Sequence, residues 1–210
     1  MKKKILVIID MQNDFVSGAL KNEEAEKIVP NIVEKLKNHG KEYSSILFTR
    51  DTHNENYMNT LEGKYLPVPH CIKGTEGNEL VTEIYDAIND LREDGVYIRS
   101  FRKNTFASDK LIKYLEATSS RYEIELIGVC TDICVVSNAL GIRAALPNTT
   151  IIVDASCCAG TSFDNHRAAL KTMKSCQIDV INEKKKKSNG TFLKHEEVQN
   201  DEEDYIEQSD

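Results

Sequence analysis

The sequence predicts an α/β fold in which a parallel sheet is covered by helices on both faces. Three observations carry that prediction. Short apolar runs and longer amphipathic stretches alternate about six times along the chain, the pattern of strands joined by right-handed helical crossovers. The first run, Ile5-Leu6-Val7-Ile8-Ile9, is apolar without interruption, as a strand buried on both faces requires. The chain has 210 residues, 40% of them hydrophobic, which suits one domain with a substantial core.

Taken in order, the first strand covers residues 4–9 and ends at Asp10. Residues 23–38 carry Ala25, Ile28, Val29, Ile32, Val33 and Leu36 at helical spacing, with Gly40 where a helix stop is expected. A second strand at 45–49, a second helix at 80–91 and a third strand at 96–98 follow. A helix at 108–116 leads to a strand at 122–127, the turn Gly128-Val129-Cys130-Thr131-Asp132-Ile133-Cys134, and an amphipathic helix at 135–145. A strand at 149–153, a helix at 163–175 and a short strand at 178–181 complete the alternation. Residues 51–77 are long and poorly periodic, which marks a functional or disordered loop. Pro67, Pro69, Tyr57, Tyr65 and paired histidines in that loop argue for order. From residue 183 onward, five lysines stand against nine acidic residues with little apolar content. The expected organisation is therefore a domain over 1–182 and a charged, disordered tail over 183–210.

Charge and composition exclude some classes. A formal charge of -7 argues against a general nucleic-acid binder, whose footprint is a basic face. No apolar run reaches the roughly 18 residues of a membrane span, and the first strand stops too soon for a secretory signal. The expectation is a cytosolic protein with neither nucleic acid nor membrane as partner. Its six cysteines, Cys71, Cys130, Cys134, Cys157, Cys158 and Cys176, are then free thiols rather than a disulfide framework. Cys157 and Cys158 are expected in a packed turn after the fifth strand, with a structural part.

In a parallel sheet, the carboxyl ends of neighbouring strands meet in one crevice, where ligands bind. Three strand ends carry reactive groups: Asp10 after the first, Lys103 in the loop after the third, and Cys134 after the fourth. Cys134 falls in the first turn of a helix, where free amides and the macrodipole favour a thiolate. Singly, each has a blander reading: a buried small residue, a turn acid, a surface cation beside Arg99 and Arg102. Together they supply a nucleophile, a base and a cation, the parts of an acyl-transfer site. With no histidine on these strand ends, Asp10 must manage the protons. Asp51 and His53 are two apart, so on extended chain they point the same way, and His70 can return to them across the loop. Such a set suits Zn²⁺, Fe²⁺ or Mn²⁺. His39, His166 and His195 lack this context and are read as surface residues.

Four stretches carry a resemblance: Ile8-Ile9-Asp10-Met11-Gln12-Asn13-Asp14-Phe15, Thr49-Arg50-Asp51-Thr52-His53, Pro69-His70-Cys71-Ile72-Lys73-Gly74-Thr75-Glu76-Gly77, and Gly128-Val129-Cys130-Thr131-Asp132-Ile133-Cys134-Val135. They resemble the isochorismatase-like cysteine hydrolases, specifically their nicotinamidase branch, over residues 4–182. The resemblance implies a doubly wound three-layer α/β/α fold with a six-stranded parallel sheet. It implies a triad of Asp10, Lys103 and Cys134, and a cis peptide between Val129 and Cys130 that aims the amides of Cys130 and Cys134 at an oxyanion. It places Asp14 near the triad and Phe15 in the wall of the substrate pocket. Asp51, His53 and His70 become metal ligands, with Glu62 as a fourth where one is used. The implied chemistry is hydrolysis of nicotinamide to nicotinate and ammonia through a Cys134 thioester, in NAD salvage. One divalent transition metal, zinc foremost, with Fe or Mn as the other choices, would bind the pyridine nitrogen. The partner is this small molecule, and the resemblance allows a homo-oligomer.

The chain departs from the pattern in one place. Many relatives carry Tyr-Ser-Ala-Phe three residues after the lysine, where this chain has Phe106-Ala107-Ser108-Asp109. The chain also lacks Trp, so stacking on a planar substrate falls to Phe15, Tyr65 or Phe106. A metal-free relative acting on isochorismate or another small amide would not need Asp51, His53 and His70 as a set. A non-enzymatic redox or scaffold protein with thiols at Cys130 and Cys134 would need neither Asp10 nor Lys103.

Overall fold

The computed structural model describes residues 3–118 and 122–183. Among them, six strands form one sheet: β1 (Lys3–Ile9), β2 (Tyr43–Asp51), β3 (Tyr97–Lys103), β4 (Tyr122–Val129), β5 (Ile151–Ala159) and β6 (Asp179–Ile181). Their order is β3-β2-β1-β4-β5-β6, and every neighbouring pair is parallel. The chain winds outward from β1 to β3, then returns to the other side of β1 for β4. The sheet is thus doubly wound, and its switch point, where a crevice opens, lies between β1 and β4.

The helices are α1 (Asn13–Val16), α2 (Glu23–His39), α3 (Leu61–Tyr65), α4 (Thr82–Glu93), α5 (Asp109–Thr118), α6 (Val136–Ala145) and α7 (Phe163–Ser175). Leu6 and Ile8 of β1 join one core with Ile32 and Leu36 of α2 and Ile84 and Ile88 of α4. Ile5, Val7 and Ile9 join the other, with Leu111 of α5, Ile142 of α6 and Leu170 of α7. Successive side chains of a strand face opposite ways, so two apolar cores demand the unbroken apolar run that β1 shows. No helix among the described residues is long and apolar enough to cross a membrane.

Two strands, β3 and β5, run well past the ends that their apolar runs suggest. β3 continues from Ile98 to Lys103. It is an edge strand, and its polar Arg99, Ser100 and Arg102 are exposed while Phe101 is buried. Lys103 is therefore the last residue of a strand rather than part of a loop. β5 continues to Ala159, carrying Cys157 and Cys158 inside the sheet instead of a turn. Its register against β4 shifts between Leu126 and Gly128. The loop at 51–77 is ordered around α3, whose Thr60 side chain accepts from the Gly63 N–H at 3.0 Å, a capping bond at the helix start. The tail expected beyond residue 183 lies outside the described residues.

Candidate active site

Gly128 shapes the switch point. Its φ is +119°, and a Cβ there would stand 2.1 Å from the Ile9 carbonyl oxygen, opposite which it pairs. Only glycine lets β4 lie so close to β1 in that conformation. The Val129–Cys130 peptide is cis. The chain then makes a π-helical turn over Thr131–Val135, in which the Val135 and Ile133 amides both donate to the Cys130 carbonyl at 3.0 Å. Such turns recur at functional sites. Cys134 thus sits in a π turn ahead of α6, and not in the first turn of a regular α-helix.

Asp10 leaves β1 with φ +47°, a left-handed conformation that Asp tolerates better than most residues. Its amide donates to Thr49 Oγ1 at 3.2 Å, and that hydroxyl donates back to Asp10 Oδ1 at 2.7 Å. Lys103 Nζ lies 2.6 Å from Asp10 Oδ2, 3.6 Å from Cys134 Sγ and 3.6 Å from Asp51 Oδ1. All of these side chains are buried. The structure therefore brings Asp10, Lys103 and Cys134 together.

Burial dominates the electrostatics. It raises the Asp10 carboxyl above its ordinary pKa although the Lys103 ammonium pulls the other way. It also pushes the Cys134 thiol well up, with Asp10 adding to the effect and Lys103 opposing it. Against the thiolate expected from the helix start stands the cost of desolvating a sulfur anion, the largest influence on this thiol. Burial alone would lower Lys103, but the neighbouring carboxyl groups, Asp10 foremost and Asp51 with it, raise it above its usual value. Asp10 and Cys134 thus share one buried ammonium, Lys103, as their neighbour.

Beside these three lies a second cluster. One donor atom each from Asp51, His53, Glu62 and His70 falls within 4.8 Å of all the others. Asp51 ends β2, Glu62 comes from α3, and His53 and His70 come from the ordered loop. His53 Nε2 is 2.8 Å from Asp51 Oδ2, and His70 Nε2 is 3.4 Å from the same oxygen. Glu62 reaches both rings, at 3.8 Å and 3.7 Å. The Val68 carbonyl holds His70 Nδ1 at 2.8 Å, which leaves Nε2 for the cluster. Burial would raise the Asp51 carboxyl, but hydrogen bonds from both imidazoles hold it well below the usual carboxylate range. Asp51 Oδ1 is buried with no hydrogen-bond partner among the described residues. An orphaned carboxylate oxygen beside two imidazoles and a second carboxylate is a donor set that fits a divalent transition metal.

A cavity of about 500 Å³ connects the two clusters. Asp51, Glu62 and His70 line one part, Lys103 and Cys134 another, and Phe15, Leu66, Phe106 and Ile133 form apolar walls. Phe15 and Phe106, the aromatics expected to stack on a planar substrate, both line this cavity. Tyr65 does not line this cavity: it is 84% exposed and borders a neighbouring cleft. Asp14 is likewise absent from the lining. Its carboxylate accepts from the Ala19 and Cys71 amides at 3.0 Å and 2.7 Å, which fastens the His70 loop to α1.

Sequence reasoning missed several supports of the site. Gln12, fully buried, donates to the Asp51 carbonyl at 2.9 Å and accepts from the Asp51 amide at 2.7 Å. Asn78 donates to the same carbonyl at 2.7 Å. Both are polar residues close to apolar runs, the one signal that could have flagged them. His166 is half-buried and not a surface residue. Its Nδ1 is 2.8 Å from Thr131 Oγ1 in the π turn.

Known proteins resemble this chain in sequence and fold. The Isochorismatase domain family matches residues 4–185. A nicotinamidase of Schizosaccharomyces pombe is 27% identical over 212 residues, covering 85% of this chain and 93% of that protein. A protein of Arabidopsis thaliana named "Probable inactive nicotinamidase" is 30% identical over 191 residues, covering 82% and 89%. The crystal structure of a pyrazinamidase/nicotinamidase from Streptococcus mutans matches with a TM-score of 0.73 at 29% identity, over 85% of this chain and 100% of that one.

Proposed function

The chain belongs to the isochorismatase domain family, and from that premise we propose that it hydrolyses nicotinamide to nicotinate and ammonia through a thioester on Cys134. The observation that carries the reading is that one cavity joins Lys103 and Cys134, with Asp10 behind them, to the Asp51, Glu62 and His70 side of a metal-fitting cluster. A divalent transition metal held by Asp51, His53, His70 and Glu62 would supply a Lewis-acid contact to the pyridine nitrogen.

The chain's own residues then account for the proton movements. Asp10 takes the thiol proton as Cys134 Sγ bonds to the carboxamide carbon, and the carbonyl pair moves onto oxygen. Backbone amides at Cys130 and Cys134 stabilise that oxyanion. When the pair returns, the C–N bond breaks and Asp10 gives its proton to nitrogen, releasing ammonia. Water then attacks the thioester as Asp10 takes its proton, and the departing sulfur recovers that proton. The acid product loses its own proton to solvent. Lys103 stays charged beside both Asp10 and Cys134, so the negative charge only moves between two neighbours of one ammonium. Burial raises Asp10 above an ordinary carboxylate, which makes it a stronger base toward the thiol proton.

The test is to incubate the purified protein with nicotinamide, with Zn²⁺, Fe²⁺ or Mn²⁺ added in turn, and to measure both products. Ammonia and nicotinate in equal amounts are expected. No product with any of the metals would overturn the reading.

A further inference from the structure

The wall at Phe106 and the nucleophile at Cys134 come from different elements, yet one side chain ties them together. Asn138, in α6 one turn after Cys134, is fully buried. Its Nδ2 donates to the Cys134 carbonyl at 2.8 Å and to the Phe106 carbonyl at 3.1 Å. Its Oδ1 accepts from the Ser108 amide at 2.9 Å. Both amide hydrogens and the carbonyl oxygen are thereby used, each on a backbone group. Ser108 in turn caps α5, its hydroxyl accepting from the Leu111 amide at 3.2 Å. Thr105 and Phe106 line the cavity from the loop after Lys103, while Ile133 and Cys134 line it from the π turn. Asn138 joins these two sides beneath the cavity surface.

We propose that Asn138 is a positioning residue that fixes the Phe106 wall relative to Cys134, so that a planar amide is held with its carbonyl carbon against the sulfur. This rests on the amide hydrolysis proposed above. A side chain there that only filled space would need no particular polarity. The bonding pattern does need it: two donors must face two carbonyls while an acceptor faces an N–H. Asp, nearly the same shape, would set carboxylate oxygens against those carbonyls. Losing this clip frees a loop that carries part of the wall, and a reacting carbon displaced by about 1 Å can lose about a hundredfold in rate.

The experiment compares wild type with Asn138→Ala, Asn138→Asp, Phe106→Ala and the double variant Asn138→Ala/Phe106→Ala. Three readouts are taken: kcat and KM for nicotinamide, thermal melting, and the rate at which iodoacetamide alkylates Cys134, followed on the Cys134 peptide by mass spectrometry. Asn138→Ala should raise KM about tenfold or more with a smaller fall in kcat, as expected when substrate placement is loosened. Asn138→Asp should be at least as impaired despite its matched size. Phe106→Ala should cost less in the Asn138→Ala background than in wild type, because the wall is already released. Cys134 should be alkylated faster in both Asn138 variants. Asn138→Asp behaving as wild type, a KM unchanged in Asn138→Ala, or independent effects of the two alanine substitutions would overturn the proposal. If either variant melts below the assay temperature, alkylation in the cold decides: an unchanged rate overturns it. If wild type releases no ammonia, the amide reading fails, and the alkylation rates still report separately on Asn138.

Discussion

Among the described residues, Lys103 is buried and Lys35 half-buried against carboxylates, and they end in opposite situations. Lys35 of α2 lies 2.6 Å from Glu125 Oε1 of β4 and 2.9 Å from Asp154 Oδ2 of β5. Tyr43 donates to Glu125 Oε2 at 2.8 Å, and Ser156 and Asn182 donate to Asp154 Oδ1 at 2.7 Å and 3.1 Å. Every carboxylate oxygen there has a partner. Around Lys103 the same ingredients leave Asp51 Oδ1 without a hydrogen bond, Lys103 standing off at 3.6 Å, and include a thiol that faces a cavity. The charges respond accordingly. Burial would raise Asp154, yet bonds from Lys35, Ser156 and Asn182 hold it below the usual carboxylate range, whereas Asp10 is raised. A saturated ion cluster locks its protons in place and holds elements together. One with an unfilled acceptor and a raised acid keeps a proton available and a ligand position open.

The comparison breaks most sharply at the nucleophile. Cys134→Ala removes one sulfur from beneath a helix start, so turnover should fall by about 10⁴-fold or more with melting little changed. Cys130→Ala should retain substantial activity, since only its backbone amide is used. Equal losses in a steady-state ammonia assay would remove Cys134 from its role. Asp10→Asn keeps shape but accepts no proton, and the rate should drop by about 10²- to 10⁴-fold. A near-normal rate would mean that another group is the base.

How far the two clusters were legible in the sequence follows from how their members are connected. Asp10, Asp51 and Cys134 stand at or just beyond strand ends, and a parallel sheet gathers strand ends along one edge, so a local pattern sufficed. Asp51 and His53 lie two residues apart on extended chain, a separation that fixes their common side. Lys35 and Glu125 are 90 positions apart, and Lys35 reads as one more charge on an amphipathic helix. Asn138 meets Ser108 across 30 positions, again with no local trace. Strand limits failed for a related reason: β5 continues through Asp154, whose polarity ends the apolar run, because Lys35 on a distant helix neutralises it. Tyr65 shows the converse error, an aromatic near the site whose side chain turns outward.

The open acceptor gives the next largest effect. Chelation, or His53→Ala or His70→Ala, removes a contact on the substrate ring while leaving Asp10, Lys103 and Cys134 in place. Nicotinamide turnover should fall about 10- to 100-fold, with KM and kcat both affected. Benzamide, which has the carboxamide but no ring nitrogen, should be a poor substrate whose slow turnover is nearly indifferent to chelation. Elemental analysis should find about one transition metal per chain. Activity that neither falls with chelators nor rises with added Zn²⁺, Fe²⁺ or Mn²⁺ would return the metal-free reading to first place. At the saturated cluster the reverse holds. Lys35→Met leaves two buried carboxylates uncompensated and should cost about 3–5 kcal/mol in urea unfolding, while kcat of the folded fraction stays within about twofold, as for a site outside the substrate's contacts. A large loss of kcat without loss of stability would mean that this cluster also serves the chemistry.

The smallest effect is the pH dependence of that stability, and its sign separates the two clusters. Asp154 is depressed in the folded state, so the unfolded chain binds its proton more readily, near its ordinary pKa of about 3.9. Its contribution is therefore complete above that value and is lost as pH falls through the folded pKa. Lys35 is raised, so its contribution is complete below the ordinary lysine pKa of about 10.4 and fades only on the alkaline side. Between these limits the cluster's stabilisation should be flat. Asp154→Asn keeps the size but removes the charge, and at neutral pH should cost about 1.5–3 kcal/mol, the range for hydrogen bonds to charged groups. As pH falls below about 3.9 and on through the folded pKa, wild type loses this advantage and the variant has none to lose, so their stabilities should converge. Urea unfolding at a series of pH values measures the gap directly. A gap that stays constant through the acid range would mean that Asp154 is not held ionised by its partners, and that the saturated cluster is no better at fixing its protons than the one around Lys103.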